Sequence, residues 1–119
     1  MGAAKGTKAE RLEKLVAKRL SLERTRGSGA VRNDGDAKTP YKQRINSEVP
    51  AIMVEAKHTE KETRTLSVQT AIIEKAVSEA RLRGLIPVIV KQYGDDEPYV
   101  VMKLTDFERL YKSAVHNEN

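Results

Sequence analysis

Two strongly β-forming runs with a helical pattern between them constrain the fold of this chain more than any other feature. Residues 51–57 form the first run, and residues 85–93, "LIPVIVKQY", form the second. Over residues 67–83 the apolar side chains recur at the spacing that gives a helix one buried stripe. Gly84 then provides a stop signal for that helix. This order predicts an α/β domain in which helices cover a β-sheet.

The N-terminal third of the chain contributes one further helix and one short strand. Residues 7–23 have apolar side chains at helical spacing, and Thr7 with Glu10 fits a capping box at the start of that helix. The glycine-containing stretch that follows is predicted to be a loop. It leads into a strand that is expected around Val31 or over residues 36–38.

The C-terminal third predicts a hairpin and a closing helix. Residues 99–104 follow the turn "GDDEP" and are expected to pair with residues 85–93. Residues 105–115 have a helical pattern, and Thr105 with Glu108 fits a second capping box. The complete predicted order is α-β-β-α-β-β-α, which is a mixed β-sheet flanked by helices.

The length and composition fit one domain. The chain has 119 residues, of which 39% are hydrophobic, enough for one modest core. We therefore expect a single domain over residues 1–119, with residues 1–6 and 116–119 flexible. No apolar run reaches the ~20 residues of a membrane span and no secretory signal is recognisable, so we expect a cytoplasmic protein with no membrane partner. The lack of cysteine excludes disulfides, thiolate catalysis and cysteine-ligated zinc.

Positive charge is concentrated in the first part of the chain. The formal net charge is +5 overall, but it is +7 for residues 1–44 and −2 for residues 45–119. A basic segment joined to a slightly acidic one indicates a polyanionic partner. A solvated basic tail is the alternative, and the helical pattern within the basic segment weakens it.

The first β run carries an acid and a base on one face. Because side chains alternate along a strand, Glu55 and Lys57 point to the same side, about 7 Å apart. A carboxylate there can hold Mg²⁺, and the ammonium group can orient or help deprotonate a water molecule at the metal, or stabilise charge on a phosphate. One carboxylate is a poor Mg²⁺ site, so Asp36 is expected to supply a second from a neighbouring strand. The backbone carbonyl of Ala56 can add a ligand.

Two alternatives to this assignment stay open. The E-x-K pattern is common, and Glu55 and Lys57 can simply pair on an exposed strand face. Asp34 is a rival for Asp36, since "NDGD" offers two acids. Asp36 is preferred because a small apolar residue follows it, as expected for an acid that leaves a turn and enters a strand.

The ordered set of motifs resembles the PD-(D/E)XK nuclease superfamily. "GDA" with Asp36 and "MVEAK" with Glu55 and Lys57 match its pattern, except that Gly35 stands where the superfamily has proline. More narrowly, "KGTKAERLEKLV", "RTRGSGA" and "IPVIVKQY" are similar to the small Holliday-junction resolvases, including phage resolvase-like endonucleases. The resemblance covers most of the chain. It implies the restriction-endonuclease-like α/β fold and a bacterial or phage-infected host cell.

The resemblance also implies a role for each matching residue. Asp36 and Glu55 correspond to the metal-binding acids and Lys57 to the catalytic lysine, with Mg²⁺ as cofactor and Mn²⁺ as a substitute. Glu10 corresponds to the acid on the first helix that completes the site, and the capping box explains the same residue equally well. Gln69, at the start of the second helix, occupies a place where the superfamily often has a polar active-site residue.

DNA contacts are expected from the basic first part of the chain, because phosphate contacts provide affinity. Glycines in "GSGA" let the backbone approach a phosphate closely. The candidate contact residues are Arg11, Arg26, Ser28, Arg32, Lys38, Lys42 and Arg44. With one phenylalanine and four tyrosines, base stacking is not the expected mode. Cutting two strands at a junction requires two sites, so a homodimer is expected.

The expected function is therefore an Mg²⁺-dependent endonuclease that hydrolyses phosphodiester bonds in DNA. Branched, Holliday-junction-like DNA is the expected substrate by resemblance only. A nicking or restriction-like endonuclease on duplex DNA would use the same chemistry. A non-catalytic DNA-binding module with structural acids is the rival from a different class.

Overall fold

The computed structural model describes residues 7–25, 35–40, 50–60 and 65–117. These residues form α1 (Lys8–Leu20), β1 (Glu23–Arg24), β2 (Ala37–Lys38), β3 (Ile52–Thr59), α2 (Thr70–Leu82), β4 (Ile86–Tyr93), β5 (Tyr99–Val101) and α3 (Leu104–Asn117). The strand expected around Val31 and the flexibility expected of residues 1–6 and 118–119 lie outside the described residues.

The strands form one five-stranded mixed sheet with the spatial order β1-β2-β3-β4-β5. β3 and β4 run parallel from the pair Ile52↔Ile86 to the pair Thr59↔Tyr93, and the other neighbours are antiparallel. A parallel pair needs a long crossover, which α2 supplies. The prediction of an α/β domain with a mixed sheet is confirmed, and so is the hairpin between β4 and β5.

Over the described residues the order is α-β-β-β-α-β-β-α, which has one strand more than the predicted order. The first helix was expected to reach residue 23, but it ends at Leu20 because Ser21 adopts a left-handed conformation with φ 55°. The backbone N–H of Ser21 caps the helix by bonding to the carbonyls of Ala17 and Lys18. Residues 23 and 24 are thereby released to pair with β2 as the short strand β1.

The core lies on both faces of β3 and β4. On one face, Leu12 and Val16 of α1 pack with Val54, Ala56 and the even-numbered apolar residues of β4. On the other face, Met53 packs with Ala80 and Leu85 at the end of α2. The alternation predicted for β3 is therefore confirmed, because Val54 and Ala56 face α1 whereas Met53 faces α2.

Two helix starts differ from the sequence prediction. The second helix begins at Thr70 rather than near residue 67, with Gln69 as its N-cap residue. The third helix begins at Leu104, so Thr105 lies inside it and does not cap it. The carbonyl of Lys103 accepts the first helical hydrogen bonds instead, from Asp106 and Phe107. Among the helices of the described residues, none has the length and apolar character needed to cross a bilayer.

Candidate active site

A glycine turn places Asp36 directly before β2, between residues of β1 and β3. Gly35 has φ +65°, a left-handed conformation that favours glycine. A Cβ atom on Gly35 would lie 2.7 Å from Cγ of Met53 and 3.1 Å from the carbonyl oxygen of Val54. Both its conformation and its surroundings therefore favour glycine at position 35.

Hydrogen bonds fix the backbone and the carboxylate of Asp36. Its N–H donates to the carbonyl of Val54 at 2.8 Å, and its carbonyl accepts from the N–H of Thr25 at 2.9 Å. Its Oδ2 accepts from the N–H of Ala56 at 2.8 Å. The side chain is only 8% exposed. The carboxylate of Asp36 therefore takes the place of a backbone carbonyl in the hydrogen bonding to β3. Its donor, Ala56, directly follows Glu55 in the chain.

Glu55 and Lys57 lie on the face of β3 that α2 covers. Nζ of Lys57 is 3.3 Å from Oε2 of Glu55. Burial raises the pKa of Glu55, the negative charge of Asp36 raises it further, and Lys57 opposes the shift. The charge of Asp36 therefore acts on Glu55, as expected for an acid directly before β2 and an acid on the neighbouring strand β3. Both Glu55 and Lys57 line a cavity of about 230 Å³.

Glu79 and Lys75 of α2 line the same cavity, and the sequence prediction did not include them. Glu79 is 6% exposed, and its charge also raises the pKa of Glu55. Lys75 approaches Glu79 at 3.9 Å. A signal for Glu79 was present in the sequence, because a carboxylate directly before Ala80 interrupts the buried stripe of the helix.

Glu13 of α1 is a second acid that the sequence prediction did not include. Burial raises the pKa of Glu13, and the charge of Asp36 raises it further. Arg24 of β1 lies 3.0 Å from Oε1 of Glu13 and opposes this shift. Asp36 therefore interacts with Glu13 of the α1 layer and with Glu55 of β3. The approach of Glu13 depends on how α1 packs on the sheet, which no local pattern specifies.

The two other predicted catalytic residues lie farther from this centre. The N–H of Glu10 donates to Oγ1 of Thr7 at 3.2 Å, so the helix cap expected from the sequence is present. The charge of Glu10 acts on Glu13, as the weakest of the influences on its pKa. Gln69 is exposed at the N-cap of α2 and does not line the cavity beside Glu55.

Two of the predicted DNA-contact residues lie in the part of the chain that the structure describes. Arg11 is exposed on α1, and Lys38 is half-buried on β2. The remaining candidates, together with the rival acid Asp34, lie outside the described residues; these candidates are Arg26, Ser28, Arg32, Lys42 and Arg44.

The oxygen ligands near Asp36 suit Mg²⁺ better than a cation whose coordination shell consists mainly of protein ligands. In the part of the chain that the structure describes, no three Asp, Glu or His side chains are grouped to hold a metal ion. Mg²⁺ is usually bound by one or two carboxylates, with waters and substrate phosphates completing its shell. Asp36 and Glu55 provide two carboxylates. The carbonyl of Ala56 points to the same edge of β3 as its N–H, which faces Asp36.

Charge repulsion supports the same fit. The negative charge of Asp36 raises the pKa of Glu13 and that of Glu55, so Asp36 disfavours the charged form of each. A divalent cation held by Asp36 and Glu55 would relieve the repulsion between these two acids.

In comparisons with protein families, curated proteins and solved structures, none matched this chain. The assignment of a function therefore depends on the site geometry and on the motif resemblance.

Proposed function

We propose that this protein is a metal-dependent endodeoxyribonuclease that hydrolyses phosphodiester bonds, with branched DNA as its substrate. The observation that carries the proposal is the hydrogen bond of 2.8 Å from the N–H of Ala56 to Asp36. It holds one acid beside Glu55, which itself lies 3.3 Å from Lys57. Asp36, directly before β2, is thus held beside β3, the strand that carries Glu55 and Lys57.

In this proposal, Asp36 and Glu55 hold Mg²⁺ with the help of the Ala56 carbonyl. The ion supplies Lewis acidity and neutralises charge at the scissile phosphate. Lys57 is 40% exposed and can reach a phosphate at the mouth of the cavity, where its ammonium group offsets the negative charge of the transition state. Its ion pair with Glu55 orients the ammonium group toward the acids. Burial of Glu55 limits access of bulk water, which strengthens these electrostatic contacts.

The charge distribution supports DNA as the substrate. The first 44 residues carry a net charge of +7, and α1 presents exposed basic residues such as Arg11, Lys14 and Lys18. Contacts from such residues to phosphates provide affinity that does not depend on base sequence. A site that holds a cation beside a basic helix suits a phosphodiester better than a neutral substrate.

Branched DNA and a homodimer form the more specific part of the proposal. The motif resemblance supports the branched substrate, and symmetric cleavage of two strands would need two copies of the site. Exposed apolar residues on α3 provide surface of the kind that a second copy would cover. They include Leu104, Phe107 and Tyr111, and the rings of the last two stack with centroids 6.2 Å apart.

A substrate panel tests the proposal. Labelled four-way junction, flap, single-stranded and linear duplex DNA are incubated with the protein in Mg²⁺, in Mn²⁺ and in EDTA. We expect cleavage of the junction with either metal and none with EDTA. Lys57→Ala should reduce the cleavage rate by about 100-fold or more, because it removes a charge that stabilises the transition state.

Other results of the panel would redirect the assignment. Equal cleavage of all duplex substrates would indicate a nicking or restriction-like enzyme. DNA binding without cleavage of any substrate would favour a non-catalytic DNA-binding module. Glu74→Gln is a suitable control because Glu74 is exposed on α2 and does not line the cavity.

A further inference from the structure

A second groove lies between the end of α2 and the start of α3. Its volume is about 540 Å³, and three cationic side chains line it, those of Arg81, Lys103 and Arg109. We call it the basic groove. Residues 45–119 carry a net charge of −2, so their overall composition gives no sign of a cationic site. The fold creates this site by bringing α2 and α3 together.

The cations of the basic groove lack anionic partners. Within the part of the chain that the structure describes, Arg81, Lys103 and Arg109 form no ion pair. Asp106 is the single carboxylate in the lining. Lys112, farther along α3, is by contrast paired with Glu108 at 3.3 Å. The groove therefore has an excess of positive charge.

The position of Lys103 adds to this excess. Its carbonyl accepts hydrogen bonds of 3.0 Å from both Asp106 and Phe107, so Lys103 occupies the N-cap position of α3. Helices usually begin with Ser, Thr, Asp or Asn, because the N-terminal end of a helix is electrostatically positive. Thr105, in the first turn, also lines the groove. A lysine at this position is unfavourable for the helix alone and favourable for an anion bound beside it.

The basic groove and the candidate active site lie on opposite flanks of α2. Lys75 and Glu79 line the cavity beside Glu55, whereas Val77 and Arg81 line the basic groove. Residues two positions apart in a helix, such as Glu79 and Arg81, point to different sides of it. The width of one helix, about 10 Å, therefore separates the two sites. A polynucleotide that crosses α2 can contact both.

We propose that the basic groove binds two or three neighbouring backbone phosphates of DNA, at a distance from the phosphate that is cleaved. This inference rests on the proposed function and extends it, because it adds a contact region outside the basic N-terminal segment. Arg81, Lys103 and Arg109 provide the charge, and the hydroxyl of Thr105 can donate a hydrogen bond to a phosphate oxygen.

DNA binding without cleavage tests the basic groove. Binding of labelled junction and duplex DNA is measured by fluorescence anisotropy in EDTA at several salt concentrations. The triple variant Arg81→Gln, Lys103→Gln, Arg109→Gln is expected to bind at least about 10-fold more weakly at ~0.1 M salt. The slope of log K against log salt should fall by about 2 to 3, since each duplex phosphate contact contributes about 0.9. Lys112→Gln, which removes one positive charge from α3 outside the groove, should change affinity less than about 2-fold.

Amide NMR shifts identify the ligand. Adding a short deoxyoligonucleotide should shift the amide signals of Gly84 and Thr105, which line the groove. Inorganic phosphate at the same concentration should shift them far less. Equal shifts with inorganic phosphate would indicate a free-phosphate site and would overturn the DNA assignment.

The outcomes for the basic groove and for the nuclease are separable. If the wild-type protein cuts DNA while the triple variant binds with unchanged affinity and salt slope, the basic groove proposal is wrong and the nuclease stands. If the triple variant loses affinity but the wild-type protein cuts nothing, the groove stands and the hydrolase is wrong. A wild-type protein that does not bind DNA at all would overturn the groove proposal.

Discussion

The backbone N–H of Ala56 donates a hydrogen bond of 2.8 Å to Oδ2 of Asp36, which lies 20 positions earlier in the chain. This contact links the start of β2 to β3, so the pairing of these strands also brings Asp36 to the candidate site. It occupies one oxygen of the carboxylate with a buried donor and fixes the direction of the side chain. The adjacent residue, Glu55, then faces α2 with its pKa raised in part by Asp36.

The stability of Asp36 variants should depend on whether an acceptor is retained. Asp36→Ala leaves the buried N–H of Ala56 without its partner, so we expect a loss of about 1–3 kcal/mol in the free energy of unfolding. Asp36→Asn keeps an oxygen acceptor and should cost clearly less. Urea denaturation at neutral pH measures both. Equal losses for the two variants would show that the hydrogen bond does not matter.

Substitution of Gly35 should be more damaging than substitution of another left-handed glycine. Gly35→Ala combines an unfavourable φ with a contact of 2.7 Å to buried Met53, and we expect a loss of about 2–4 kcal/mol. Gly84 has φ +67°, but a Cβ there meets nothing within 4 Å, so Gly84→Ala should cost only about 1–2 kcal/mol. Thermal or urea unfolding of the two variants gives the comparison. A Gly35 loss no larger than the Gly84 loss would contradict the crowding beside Met53.

The raised pKa of Glu55 should appear in the pH dependence of stability. Its folded pKa lies above the value of 4.5 for a free carboxyl group. As the pH rises above about 4.5, the unfolded chain releases this proton first, so the contribution of Glu55 to the free energy of unfolding falls. In EDTA, the stability of the wild-type protein relative to Glu55→Gln should therefore decrease between pH 4 and pH 7. A relative stability that rises over this range would show that the pKa is lowered instead.

Mg²⁺ should stabilise the folded protein by binding to the carboxylates of Asp36 and Glu55. At about ten times its Kd, a ligand that binds only the folded state adds about 1.4 kcal/mol, or about 5 °C in Tm. Asp36→Asn and Glu55→Gln should lose this gain. Glu13→Gln should reduce it more than Glu10→Gln does, because Glu13 is the α1 acid whose pKa responds to Asp36. Differential scanning calorimetry with and without MgCl₂ makes the measurement; a gain that survives in Asp36→Asn would place the ion elsewhere.

The chain pattern was sufficient to predict the parts of the site that depend on local structure. Alternation along β3 correctly put Glu55 and Lys57 on one face, opposite Val54 and Ala56. The small apolar residue after Asp36 correctly indicated that this acid leaves a turn and enters a strand, and that strand pairs with β3 as expected.

The sequence pattern could not predict contacts between elements that are far apart in the chain. Glu13 comes close to Asp36 only because α1 packs across the sheet, and the partner of Glu13 belongs to β1, a strand of two residues. Strands this short have no periodicity to detect. The basic groove likewise depends on the packing of α3 beside α2, which places Arg81 and Arg109 in one lining.

Cleavage of a labelled four-way junction by Asp36→Asn, compared with the wild-type protein, tests the central claim most directly. Glu74→Gln serves as the control, since it removes an exposed acid of α2. We predict Mg²⁺-dependent cleavage by the wild-type protein and by Glu74→Gln, with Asp36→Asn at least about 100-fold slower although it still folds and binds the junction. Cleavage by Asp36→Asn at the wild-type rate, or no cleavage by any of the three proteins in Mg²⁺ or Mn²⁺, would contradict it.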